Sequence, residues 1–91
     1  GMVHFVLIDK SQWKNEDTYR LAIGKVCRDS RPVCKVLFWK DSSMVPTRLP
    51  MSDTQAKAMV ANWSYNGNTG ARQLLWSCEI KNVRDQCFTN D

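Results

Sequence analysis

The chain has 91 residues, of which 43% are apolar and 24% charged, with four glycines and three prolines. That length holds one domain spanning 1–91, and the composition excludes a disordered tail, a collagen-like chain and a low-complexity linker. Thirteen Lys and Arg against nine Asp and Glu give a net charge of +4, and the excess lies in residues 1–50, with nine basic and five acidic groups against four of each in the remainder.

Val3 to Asp9 (VHFVLID) is apolar at nearly every position, which predicts a strand covered on both faces or central in a sheet. The run is far too short to span a bilayer, and no basic segment followed by an apolar stretch marks a signal peptide. Gly1 before Met2 reads as a scar of tag removal. Met2 as the native start implies a cytoplasmic protein; a trimmed leader implies an exported one.

Asn15 is placed to cap a helix that opens on Glu16 and Asp17. Tyr19, Ala22, Ile23, Val26 and Cys27 then fall on one helical face. Pro32 stops any continuation, and Val33 to Trp39 (VCKVLFW) reads as a second strand. Residues 41–50 carry two prolines and two serines and form a connection. Ser52 and Gln55 have the spacing of a capping box, with Met51 set to staple against Ala56. Ala56, Met59, Val60 and Trp63 trace a second helical face, and Asn66 to Gly70 ends it, with Gly67 or Gly70 able to take a positive φ.

Gln73 to Ile80 alternates, with Leu74, Trp76, Cys78 and Ile80 on one face, as in a half-exposed strand. The tail from about residue 81 reads as irregular. The expected architecture is therefore α/β, with α+β as its variant: a two-layer sandwich in the order β-α-β-α-β, with a three-stranded sheet and two helices on one face. The first two strands should be parallel.

Four cysteines in so short a chain dominate the chemistry. Six residues separate Cys27 from Cys34 and eight separate Cys78 from Cys87, whereas zinc ligands typically stand two to four residues apart and a thioredoxin-like site requires C-x-x-C. A cysteine nucleophile would need a base, and the only histidine, His4, lies inside the first strand. Four cysteines allow three pairings. The sequential one, Cys27 with Cys34 and Cys78 with Cys87, is favoured because each pair brackets a turn-capable segment. Such bridges imply an oxidising compartment; free buried thiols in a cytosolic protein are the alternative.

No metal or cofactor is implied. Asp9 and Asp41 both follow predicted parallel strands, whose C-terminal ends collect ligands in open α/β sheets, and they could converge on one rim with Lys10 and Lys40. Trp13 has no periodic reason to be buried and is a candidate recognition residue, its bland reading being a cover for the core end. Lys25, Arg28, Arg31 and Lys35 cluster where the first helix turns into the second strand. They could contact an anionic partner, although nucleic-acid signature motifs and interleaved aromatics are missing.

Three stretches, Val36-Leu37-Phe38-Trp39-Lys40-Asp41, Pro46 to Gln55, and Asn68-Thr69-Gly70 with Leu74-Leu75-Trp76-Ser77-Cys78, resemble small uncharacterised bacterial envelope proteins of the secreted, periplasmic or lipoprotein-like kind. The resemblance implies export and no assigned activity. The leading expectation is an exported, disulfide-stapled binding or accessory domain of the cell envelope, periplasmic or secreted, whose partner is an envelope protein or an anionic polymer. The alternatives are a cytosolic nucleic-acid or protein-binding domain with free thiols, and an enzyme using the rim around Asp9 and Asp41.

Overall fold

Both helix starts carry the caps that the sequence requires. Asn15 accepts the Asp17 N–H at the head of α1 (Glu16–Val26). Ser52 and Gln55 satisfy each other's backbone N–H groups at the head of α2 (Asp53–Ala58). The computed structural model describes residues 2–28, 33–80, 82 and 86–89. These helices accompany a five-stranded mixed sheet of β1 (Met2–Leu7), β2 (Val33–Trp39), β3 (Met59–Asn66), β4 (Ala71–Ser77) and β5 (Cys87–Phe88), ordered β1-β2-β3-β4-β5. β1 and β2 are parallel, β2, β3 and β4 are successively antiparallel, and β4 and β5 are parallel.

The expected three-stranded sandwich is therefore corrected at several points. The second helix ends at Ala58, and Met59–Asn66 is a strand in the middle of the sheet. The apolar positions Ala56, Met59, Val60 and Trp63 fit a helical period, but Ala61-Asn62-Trp63-Ser64-Tyr65-Asn66 also alternates strictly, and its aromatic side chains favour the extended form. Asn66 to Gly70 then serves as a hairpin turn, in which Gly70 takes the positive φ (75°) and donates to the Asn66 carbonyl at 2.8 Å. Next, part of the irregular tail adds strand β5, where the Gln86 carbonyl accepts from the Trp76 N–H and the Phe88 carbonyl accepts from the Cys78 N–H. Finally, β1 is an edge strand, half-buried along most of its length.

The two helices lie against opposite faces of the sheet instead of sharing one. Successive residues of a strand point to opposite sides, so Phe38 and Trp39 face apart. On the Phe38 side, Tyr19 and Ile23 of α1 pack into a cluster with Cys34, Val36, Phe38, Ala61 and Trp76. On the other side, Trp39 is fully buried, meets Phe5 edge-on, and donates its indole N–H to the Gln55 carbonyl of α2 at 2.7 Å. A β-bulge falls between Phe38 and Trp39, where the pairing with β3 shifts by a residue at Val60.

Tyr19 sits at the centre of the larger cluster with no exposed surface, and its ring meets both Phe38 and Trp76 in edge-to-face contacts. Burial pushes its phenol well above the ordinary tyrosine value, so it stays protonated and donates to the Trp13 carbonyl. Tyr19→Phe keeps the ring but leaves that carbonyl without its donor, and should cost about 1 kcal/mol in urea unfolding of the oxidised protein. An unchanged unfolding midpoint would show that the bond contributes nothing.

Candidate functional site

Parallel pairing aligns the ends of β1 and β2, with Leu7 beside Trp39, so that Asp9 and Asp41 leave the sheet at equivalent positions. Each then builds the same turn. One Asp9 carboxylate oxygen accepts both the N–H and the hydroxyl of Ser11 at 2.8 Å. The Asp41 carboxylate does the same with Ser43, at 3.0 and 2.8 Å. The repeated Asp-x-Ser pattern, Asp9-Lys10-Ser11 and Asp41-Ser42-Ser43, is visible in the sequence and specifies both turns. Asp41 also caps the short 3-10 turn Ser42–Met44.

Between the two turns lies a surface cleft of about 390 Å³, lined by Leu7, Ile8, Asp9, Lys10, Lys40 and Ser42. The Lys40 ammonium stands 3.5 Å from the centre of the Trp13 ring, and Lys14 stands 5.2 Å from it. Trp13 is half-buried against the end of the core, so it both covers that core and presents a ring to the rim cations. The rim thus joins Asp9, Lys10, Trp13, Lys40 and Asp41 in one charged, partly aromatic patch.

Both carboxyls are held below the ordinary aspartate value. For Asp9 the Ser11 backbone hydrogen bond is the larger cause and the hydroxyl the second. For Asp41 the Ser43 hydroxyl leads, followed by the Ser43 N–H, with Lys10 and Lys40 adding attraction. Exposed carboxylates fixed as anions suit ion recognition better than proton donation at neutral pH.

The other sequence candidates lie elsewhere. Lys35 stands near the opposite end of β2, in register with Ser64. Arg28 is exposed just beyond Cys27, the cap residue of α1, whose sulfur bonds Cys34; Lys25 lies in the last turn of that helix. Arg31 falls outside the described residues. Arg28 and Lys35 thus flank one disulfide and are separated from Trp13 by the length of the strand. A second cleft of about 430 Å³, lined in part by Val33, Tyr65, Asn66 and Arg72, opens at that end.

All four cysteines are paired, Cys27 with Cys34 and Cys78 with Cys87, with Cα separations of 5.8 and 4.9 Å. These are the sequential pairs, and they point to an oxidising compartment. No thiol is left to act as a nucleophile. Among the described residues no group of three metal-ligating side chains comes together, and no helix is long and apolar enough to cross a membrane.

Because the ionised form is favoured in the folded chain, the stabilising effect of each Asp-x-Ser turn is in place above the ordinary aspartate value of 3.8 and is lost as pH falls through the lowered one. Carboxyl-carbon NMR titration should put both midpoints below that value. Ser11→Ala and Ser43→Ala should each raise the midpoint of the aspartate that the serine bonds, because the hydroxyl helps hold both carboxyls down.

Comparison of the chain with protein-family models, curated proteins and solved structures finds no match to any of them.

Proposed function

We propose that this protein is an exported, disulfide-stapled binding or accessory module of the bacterial cell envelope, periplasmic or secreted, that engages its partner without catalysis. The observation that carries the reading is the pairing of every cysteine into two short rings, which a reducing cytosol would not maintain. The resemblance of the Val36–Asp41, Pro46–Gln55 and Asn68–Cys78 stretches to envelope proteins supports the same compartment. The rim supports binding: a serine turn engages one oxygen of each carboxylate and holds it ionised, and Lys40 and Trp13 offer a cationic and aromatic surface for an envelope protein or anionic polymer.

A thiol count on the protein from its own cells, unfolded without reductant, tests the reading. No reactive thiol, together with recovery in the extracytoplasmic fraction, is the expected result; four reactive thiols would overturn it. Loop closure by each ring is worth about 2.5 kcal/mol, so reduction of both should lower the stability to urea by about 5 kcal/mol at most. A reduced chain that unfolds at the same urea concentration as the oxidised one would remove the stapling role.

A further inference from the structure

The two edges of the sheet are built differently. β5 has two residues and is tied to the chain beside it by the Cys78–Cys87 bond, so it offers little to a further strand. β1 has six residues, Met-Val-His-Phe-Val-Leu, in unbroken register with β2, without a proline, a lysine or a bulge. Those are the devices by which natural edge strands avoid association, and β1 has none of them.

The direction of its free hydrogen bonds follows from the pairing. In a parallel ladder alternate residues turn both backbone groups to the same neighbour. The Ile8 N–H donates to the Trp39 carbonyl, so Ile8 belongs to the set that faces β2, with Val6 and His4. Val3, Phe5 and Leu7 turn their N–H and C=O groups outward, where no described strand pairs with them. Their side chains share one face, and Val3 (42%) and Leu7 (49%) are among the few large apolar residues that stay exposed.

We infer that β1 is the interface of a homodimer, in which two copies pair their β1 strands antiparallel about a two-fold axis at Phe5. In this register Val3 faces Leu7 of the second copy, Phe5 faces its equivalent, and Leu7 faces Val3. All three outward residues then form hydrogen-bonded pairs, each exchanging two bonds. A shift by two residues in either direction leaves one of them without a partner. The same two-fold that saturates the backbone covers the exposed Val3 with the exposed Leu7 on one face, as a self-complementary contact requires. Apart from His4 at the non-bonded position, the strand carries no ionisable side chain, so two chains of net charge +4 meet along it without opposing charges. The product is a continuous ten-stranded sheet with the two α1 helices on the same side.

Sedimentation equilibrium from micromolar to millimolar concentration, with amide exchange read residue by residue on the same samples, tests the dimer. The apparent mass should double as concentration rises. Protection at Val3, Phe5 and Leu7 should rise with it, while His4 and Val6, bonded to β2, are protected throughout. Val3→Lys and Leu7→Lys should each abolish the mass increase, and Leu21→Lys, at an exposed apolar site on α1, should leave it intact. A constant monomer mass, protection of the odd-numbered amides that is independent of concentration, as cover by another part of the same polypeptide would give, or equal loss with Leu21→Lys would overturn the inference.

Discussion

Tyr19 is fully buried, yet its hydroxyl has to be satisfied, and the acceptor it finds is the main-chain carbonyl of Trp13. That bond fixes the connection between β1 and α1 against the helix that follows it. The ring of the same residue touches Phe38 on β2 and Trp76 on β4, strands that do not touch each other. One side chain therefore sets the height of α1 above the sheet and the position of the Trp13 ring at the rim. The Lys40–Trp13 contact is a consequence, because it forms only where the β1–α1 connection is held beside the end of β2.

The covalent bridges act where packing is thin. Cys27 caps α1 and reaches the buried Cys34 at the start of β2, which ties the helix end to the sheet at the side away from Tyr19's carbonyl acceptor. Cys78 and Cys87 hold a two-residue strand that could not keep its place on two ladder pairs alone. Loop closure by each ring contributes about 2.5 kcal/mol, a sizeable share of the roughly 5–15 kcal/mol by which domains are stable.

What the sequence revealed divides along physical lines. The limits of β2, the caps of both helices and the pairing of cysteines depend on local chemistry, and each is readable from a few neighbouring residues. β3 depends on competition. Val60 and Trp63 satisfy a helical period and a strand period at once, and what decides between them is the availability of β2 and β4 on either side, a tertiary fact absent from any window of sequence. β5 is too short to have a period. The placing of α2 against the opposite face turns on one parity, that of Trp39 against Phe38. Asp9 and Asp41 were legible as rim candidates because each follows a strand of a parallel pair, and the register of Leu7 with Trp39 brings them level; the serine turns that engage their carboxylates were equally present in the sequence, as a tripeptide pattern used twice.

The connectivity of the sheet also orders its assembly. β3 and β4 meet across a short turn, with Asn66 paired to Ala71, five residues on, whereas Met2 pairs with Cys34 across thirty-two. The longer closure costs about 1.6 kcal/mol more in chain entropy, and it brings the reward of only one neighbour. Chain entropy thus favours early closure of the hairpin and late docking of β1. β1 precedes in the chain the hairpin on which its docking waits, and it spends its unpaired interval as an apolar stretch with no strand beside it.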